Sequence, residues 1–357
     1  MKNILLFYGG ISAEHEVSCV SASYIETSLI NAEYLVYPIY VDKKGTWHLQ
    51  EKVNKIPSKN IINHAYIKAG KEKVLICGEK EISIDFAFSI IHGTFGEDGC
   101  IQGFFEFLNI PYAGAGVLTS SICMDKFYMR QVFAMHGIPQ PEFVKLDKID
   151  FEKDNEKQIE IILNKLNFPI FTKPCNMGSS VGVYKSKSKN DLKEFIKKSF
   201  IFDNKIICEQ GHSVREIEIS ILGNYPFYET SEPGEIVPNH EFYSYEAKYL
   251  DENGAKLELP AKLSNEEKAR IKELAKKAFQ AVDGNGFARI DFFLVNKSNL
   301  LLINEINTLP GFTPISMFPK LWEISGKENI TLIREIMKLG KERFENARKK
   351  TYSRVVT

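Results

Sequence analysis

Apolar residues recur along this chain with two periods, every second position and every third to fourth, which predicts strands interleaved with helices. Residues 3–8 (NILLFY) are apolar from Ile4 onward and stop at Gly9-Gly10. That pattern predicts a strand buried on both faces of a parallel sheet, and the amphipathic stretch after it predicts a helix over 17–29. Residues 34–41 predict a second strand that turns through 42–45 into 46–49. Residues 50–83 are lysine-rich and predict loops with one short strand at 74–77. An apolar strand at 85–91 runs into HGTFGEDG (92–99), a helix over 100–108 and a last strand at 111–116. Together these predict an α/β domain over 1–117.

The chain then changes to α+β. A helix over 120–136 ends at Gly137, with Pro139 beyond it. A strand at 142–145, a helix at 152–166 and a strand at 169–173 follow. Lys173 closes that strand and opens the small-residue loop PCNMGSSVGV (174–183). A helix at 190–199 and the strand KIICEQ (205–210), which bears Glu209, complete a second unit over 118–212. The third unit, 213–357, opens with REIEISIL (215–222). There Arg215, Ile217, Ile219 and Ile221 share one face and Glu216, Glu218, Ser220 and Leu222 the other. Residues 224–231 predict an antiparallel return. Residues 242–260 form a long polar, aromatic stretch that predicts a lid, with Lys248 and Tyr249 as candidate contacts. Ser264-Asn265-Glu266-Glu267 is a capping box for a helix striped by Ile271, Leu274, Ala275, Ala278 and Val282. One or two helices over 319–347 close the chain.

Between those last helical stretches, residues 285–319 carry more polar groups than a core hairpin holds. In strand 287–295, Arg289, Asp291, Phe293 and Val295 share a face, and in strand 300–307 so do Leu301, Ile303, Glu305 and Asn307. A three-residue turn (Lys297, Ser298, Asn299) sets Asp291 opposite Glu305. A four-residue turn sets it opposite Asn304, unless a bulge restores the alignment. Burying such groups unpaired is costly, so they require a cation or good partners. The oxygen donors of Asp291, Glu305 and Asn307 suit Mg²⁺. An Arg289–Asp291–Glu305 ion network is the other reading of the same residues.

Composition narrows the classes. The 357 residues carry 46 basic and 46 acidic side chains, a net charge of zero that argues against general nucleic-acid binding. The six cysteines are scattered with no CxxC pair, which favours a reduced cytosolic chain over a zinc site. The N-terminal apolar run is too short for a signal peptide, and no run approaches a transmembrane span. Glycines and polar residues at strand ends mark ligand sites in α/β sheets, which singles out His92 with Glu97 and Asp98, while Glu14 and Glu16 suit the positive N-terminus of the helix that follows them. A lysine ending a strand before a small-residue loop can cover a triphosphate, which singles out Lys173. It is not a Walker A loop, because the lysine precedes the glycines.

The set GGISAEHEVS (9–18), HGTFGEDG (92–99), MDK (124–126), KPCNMGSSVGV (173–183), EIEISILG (216–223), FYSYEAKY (242–249), RIDFFL (289–294) and NEINTLPGFTPISMFP (304–319) resembles the D-alanine–D-alanine ligases of the ATP-grasp superfamily. The resemblance covers nearly the whole chain. Residues 50–83, 224–235 and the tail match weakly, and Ser244 departs from an acidic residue common in the lid motif. The resemblance implies three domains, an N-terminal parallel-sheet domain and two ATP-grasp subdomains, with ATP between two antiparallel sheets. It implies that Lys126, Lys173 and Ser180 with the glycine loop hold phosphates, and that Glu209 and Glu216 bind adenine and ribose. Asp291, Glu305 and Asn307 then ligate two Mg²⁺ ions, or Mn²⁺ in their place. Glu14 meets the ammonium of the first D-alanine and His92 lies near its carboxylate. Ser179 and Tyr249 link with Glu14 to close the lid, and Lys248 contacts the γ-phosphate or the acceptor. Arg289 and the Gly311 N–H stabilise the oxyanion, and Ser316 holds the second carboxylate. The implied product is D-alanyl-D-alanine for peptidoglycan precursors, made in the cytoplasm by a homodimer without membrane or nucleic-acid partners. A D-alanine–D-lactate ligase, a carboxylase or kinase on the same fold, and a non-catalytic nucleotide-binding module are the rival readings.

Overall fold

The computed structural model describes residues 1–54, 64–68, 70, 73–238 and 255–351. The first sheet has the order β3-β2-β1-β7, built from β1 (Asn3–Gly9), β2 (Leu35–Val41), β3 (Trp47–Leu49) and, after the small sheet, β7 (Phe86–Ser89). β1 is parallel to both β2 and β7. Ile4 to Tyr8 are fully buried, as the unbroken apolar run requires. Helix α1 (His15–Asn31) covers one face together with the chain's last helix, and α2 (Cys100–Phe107) lies against the other. The lysine-rich 50–83 region holds more order than one strand. β4 (Tyr66–Lys68), β5 (Val74–Cys77) and β6 (Lys80–Ser83) form a small antiparallel sheet. The strand expected at 111–116 is reduced to one parallel bridge, Ala87 to Tyr112. Pro111 lacks a donor and Gly114 takes φ +93°, so the ladder cannot continue.

The helix expected over 120–136 is two. α3 (Val117–Met124) stops at Asp125, whose extended backbone (φ −87°, ψ 103°) breaks the run. Its carboxylate then caps α4 (Lys126–Met135) by accepting from Phe127 N at 3.0 Å and Tyr128 N at 3.1 Å. Lys126 therefore stands at the first position of α4, not in mid-helix. The helix expected at 152–166 is also two, α5 (Lys148–Lys153) and α6 (Asn155–Leu163), with Asp154 capping the second through Lys157 N at 3.1 Å. The central sheet has the order β10-β9-β11-β8, all antiparallel: β8 (Phe143–Asp147), β9 (Ile170–Pro174), β10 (Tyr184–Ser186) and β11 (Lys205–Gln210). α7 (Lys189–Ser199) packs on it.

The large sheet runs β15-β14-β12-β16-β17, with β13 also on β12. Its strands are β12 (Val214–Asn224), β13 (Phe227–Thr230), β14 (Gly234–Pro238), β15 (Ala255–Glu258), β16 (Gly286–Val295) and β17 (Leu301–Asn307). Part of the expected lid is thus strand, since β15 pairs with β14. Lys248, Tyr249 and Ser244 lie outside the described residues. α8 (Asn265–Ala281) begins with the expected capping box, in which Ser264 accepts from Glu267 N and the Glu267 carboxylate from Ser264 N. It packs Ile271, Ala275, Ala278 and Phe279 on Ile217, Ile219, Ile290 and Phe292. That leaves the polar face of the sheet turned to the other side. α9 (Met317–Ile324) and α10 (Asn329–Ala347) close the chain, and Trp322, Ile333 and Ile336 join the core of the first sheet.

Candidate active site

The polar face is set by register. In β12 and β16, Glu216 pairs with Phe293, Glu218 with Asp291 and Ser220 with Arg289. On the other side of β16 the turn has four residues, because Val295 N bonds Leu300 O at 2.9 Å, so of the two arrangements that set Asp291 opposite Glu305 the structure has the bulge and not the three-residue turn. Leu294, Phe293 and Phe292 accordingly face Leu301, Leu302 and Ile303. The ladder then slips, and Asp291 faces Glu305, Ile290 Ile306, and Arg289 Asn307. Asn304 is the extra residue of this β-bulge, which restores the Asp291–Glu305 alignment. It also overturns the expectation that Leu301 and Ile303 share a face with Glu305 and Asn307. They pair with Leu294 and Phe292 and join the core, while Glu305 and Asn307 turn to the polar face.

Arg289 organises that face. Its Nε and NH2 donate to the two oxygens of Asp291 at 2.7 Å each, and Nε lies 3.0 Å from Glu218 Oε2. Burial opposes the guanidinium charge, but Asp291 and Glu218 outweigh it and hold the group well above its usual range. Asn307 Oδ1 accepts from Leu309 N at 3.0 Å. Among the described residues no three His, Cys, Asp or Glu side chains converge as a metal cluster. Two carboxylates and an amide oxygen still fit a hard cation that takes its other ligands from water or phosphate, as Mg²⁺ does. Such an ion would share Asp291 with Arg289.

The central sheet supplies the opposite wall. Lys173 is the last residue but one of β9 and Glu209 the last but one of β11, and their partners in the antiparallel ladder set both on one wall. Lys173 Nζ donates to Glu209 Oε1 at 2.7 Å, and Arg130 of α4 donates to Glu209 Oε2. Burial works against the Glu209 charge, but Arg130 and Lys173 reverse it and hold the carboxyl below its usual range. Burial lowers Lys173 despite Glu209 beside it. Lys173 Nζ lies 5.7 Å from the ring centroid of Phe293, so the two walls meet there. Lys126 Nζ donates to the Met177 carbonyl at 2.7 Å and sits 3.7 Å from Glu305 Oε2. Glu216 shares the polar face of β12 with Glu218.

The loops meet at Glu14, the residue before α1. Ser179 Oγ donates to Glu14 Oε1. Ser179 and Ser180 both take left-handed backbone (φ +51° and +61°), a conformation non-glycine residues adopt rarely and one that clusters at functional loops. Gly93 has φ +72°, and a Cβ there would come within 2.6 Å of Glu14 Oε2. Three loops, 10–14, 92–99 and 176–182, therefore close on one carboxylate. His92 is buried, with Nδ1 facing Leu309 O at 3.1 Å and Glu97 Oε1 at 3.3 Å and Nε2 facing Ser21 Oγ at 3.2 Å. Burial disfavours its charged ring, but Glu97, Glu14 and the Leu309 carbonyl reverse this and raise its pKa. Phe312 N donates to Ser21 Oγ at 3.4 Å, so the 309–316 loop abuts α1. A Cβ on Gly311 would lie 2.9 Å from Ser316 Oγ, which itself accepts from Thr313 N at 3.0 Å.

The sequence-derived residues thus fall into two groups among the described residues. Lys126, Lys173, Glu209, Glu216, Arg289, Asp291, Glu305 and Asn307 line the cleft between the two antiparallel sheets. Glu14, His92, Ser179, Ser180, Gly311 and Ser316 sit on the loops toward the parallel sheet. Two residues were not singled out. Glu218 was marked only by its parity with Glu216. Arg130 was marked only by standing four residues after Lys126.

Residues 3–115 match the family model of the D-ala D-ala ligase N-terminus, and residues 132–338 that of the C-terminus. The D-alanine–D-alanine ligase of Staphylococcus haemolyticus is 40% identical over 358 residues, covering 99% of each chain. The solved structure of the D-alanine–D-alanine ligase from Coxiella burnetii superposes with a TM-score of 0.85 at 32% identity, covering 98% of this chain and 96% of the other. The VanG D-Ala:D-Ser ligase of Enterococcus faecalis superposes at 0.84 with 29% identity, covering 95% of this chain and 99% of that one. A match of both family models across more than half the chain, joined to relatives of this identity along its whole length, means that the chain belongs to the D-alanine–D-alanine ligase family.

Proposed function

We propose that this chain joins two D-alanines into D-alanyl-D-alanine at the expense of one ATP, for the synthesis of peptidoglycan precursors. The observation that carries the reading is the junction at Glu14. There, the glycine loop beside the two-sheet cleft bonds a carboxylate of the parallel-sheet domain through Ser179. A phosphate donor in the cleft and an amino acid held at Glu14 would meet at that point.

The carboxylate of the first D-alanine attacks the γ-phosphorus of ATP, and ADP leaves. The D-alanyl phosphate so formed is attacked at its carbonyl carbon by the amine of the second D-alanine. Phosphate departs and the amine gives up a proton. In this reading Glu14 holds the first ammonium and His92 stands by its carboxylate. Lys126, Lys173 and Ser180 hold phosphate oxygens, and Glu209 and Glu216 hold adenine and ribose. Arg289 and the Gly311 N–H face the developing oxyanion, a contribution of roughly 3–4 kcal/mol per donor in other enzymes. Ser316 receives the second carboxylate. Lys248 and Tyr249, outside the described residues, complete the lid, which keeps water from an acyl phosphate that hydrolyses readily. Mg²⁺, held by Asp291, Glu305 and Asn307, would neutralise charge moving across the phosphates.

Further parts of the reading are the domain bounds 1–117, 118–212 and 213–357, a homodimer and a cytoplasmic setting. Among the described residues no helix is long and apolar enough to cross a membrane. The test is ADP release from ATP and Mg²⁺ with D-alanine, L-alanine, or D-alanine plus D-lactate or D-serine, with products identified by mass. ADP stoichiometric with D-alanyl-D-alanine, and little with L-alanine, supports the reading. A depsipeptide or a D-alanyl-D-serine product reassigns the acceptor. No amino-acid-dependent ADP from folded, ATP-binding protein leaves a regulatory module in its place.

A further inference from the structure

Helix α4 presents Lys126 and Arg130 one turn apart, so both side chains leave the same face. Each reaches β17 and a second partner on the central unit. Lys126 reaches the Met177 carbonyl beside the glycine loop and Glu305 of β17. Arg130, 1% exposed, donates through NH2 to Glu209 of β11 and through NH1 to the Ile303 carbonyl of β17 at 3.4 Å. Gln140 Oε1 lies 3.5 Å from the same NH1, and Gln140 Nε2 returns a bond to the Arg130 carbonyl at 2.8 Å. Ile303 is the residue immediately before the bulge that turns Glu305 into the cleft. Arg130 is therefore pinned at one end to the nucleotide wall and at the other to the slip in register that aims the opposite wall.

Lys173 Nζ donates to Glu209 Oε1 at 2.7 Å. The Lys173 ammonium has three N–H donors, so it can bond a phosphate oxygen as well, and its charge is then shared between Glu209 and the phosphate; a buried carboxylate with a shared counter-ion is costly unless a second cation stays beside it. We propose that Arg130 is a positioning residue of the nucleotide site, holding Glu209 in place as its second counter-charge and fixing the spacing of the two sheets at the bulge. The proposal rests on reading the two-sheet cleft as the ATP site.

The experiment measures ADP affinity by calorimetry, and KM for ATP and for D-alanine, in wild type, Arg130→Met, Arg130→Lys, Glu209→Gln and the Arg130→Met/Glu209→Gln double variant. Arg130→Met is expected to weaken ADP binding and raise KM for ATP by about tenfold to a hundredfold, the range for a lost charge-assisted hydrogen bond, with KM for D-alanine unchanged. Arg130→Lys keeps the charge but cannot span both partners, and is expected to recover part of the loss. With Glu209 already neutral, removing Arg130 should cost little more, so the two penalties should fail to add. Penalties that add in full, or an Arg130→Lys protein with wild-type ADP affinity, overturn the proposal even if Arg130→Met does not fold. Wild-type protein that binds no ADP overturns the cleft reading itself; wild type that binds while all Arg130 variants bind equally overturns only the role of Arg130.

Discussion

Replacing Glu209 with glutamine removes one negative charge from a place where two cations meet it. The side chain is 2% exposed, and each of its oxygens accepts from a different cation, Lys173 on one and Arg130 on the other. The amide copies the carboxylate in shape, but one arm becomes a donor aimed at a donor. Breaking a buried pair from one side costs about 3–5 kcal/mol. The protein has one means of relief, which is to release the Lys173 proton. From an unfolded pKa near 10.4, neutralising a lysine costs roughly 4.6 kcal/mol at pH 7 and roughly 1.9 kcal/mol at pH 9. The lysine's share of the loss in Glu209→Gln is therefore capped at about 5 kcal/mol at neutrality and about 2 kcal/mol at pH 9, while the share from Arg130, which stays charged, is the same at both. The sign follows from linkage. Burial already holds Lys173 below the ordinary lysine range, and losing Glu209 lowers it further. Between that lowered value and the unfolded one the unfolded chain binds more protons, so stability rises with pH. Urea unfolding followed by circular dichroism at the two pH values reads the deficit against wild type. A deficit under about 1 kcal/mol at pH 7, or one that does not shrink at pH 9, would refute the argument that Glu209 is the counter-ion of this wall.

Three further outcomes follow from the same geometry. Ser179→Ala removes the bond to Glu14 and should lower kcat/KM for D-alanine by about tenfold to a hundredfold while leaving the melting temperature unchanged, since the loop is half-exposed; equal activity would remove the link from the mechanism. Glu305→Gln and Asp291→Asn should each cut turnover by at least about a hundredfold and shift the Mg²⁺ dependence, and an unchanged Mg²⁺ titration in both would exclude them as ligands. His92 has a raised pKa, because Glu97 and the Leu309 carbonyl outweigh the penalty of burial. Its contribution to stability is fully present below the unfolded value near 6.5 and is lost as pH rises through the higher folded value. His92→Gln should therefore flatten that part of a melting-temperature profile taken from about pH 5 to 9, and an identical slope in the variant counts against the assignment.

Where a pattern is local, this sequence displays it. The two-residue period of 215–222 separates Ile217, Ile219 and Ile221 from Glu216, Glu218 and Ser220, and the sheet keeps that division because α8 covers only the apolar side. The capping box at Ser264 is complete within four residues and forms as read. The helix break at Asp125 was harder, since apolar periodicity continues across it. The signal was Asp125 itself, a residue that competes for backbone donors and so starts a helix more readily than it continues one. Glu209 and Ile303, the partners that tie Arg130 to the two sheets, lie 79 and 173 residues away along the chain, and no periodicity announces a contact at that distance.

The bulge at Asn304 lies between these cases, and it shows what parity alone can reveal. Leu301, Ile303 and Ile306 all enter one core, although Leu301 and Ile303 are odd positions and Ile306 is even. No unbroken strand can bury both sets on one face, because a side chain changes sides at every residue. One residue between Ile303 and Ile306 therefore has to be spent without a partner, and Asn304 is where the ladder slips. The turn and the bulge are then a single arrangement. Four residues in the turn would set Asp291 against Asn304 and drive Glu305 into the core beside Ile271 and Phe279. The bulge undoes that shift where Asp291 begins the polar half of the strand. It keeps Leu301 and Ile303 buried, turns Glu305 and Asn307 toward the cleft, and leaves the Ile303 carbonyl where Arg130 can reach it.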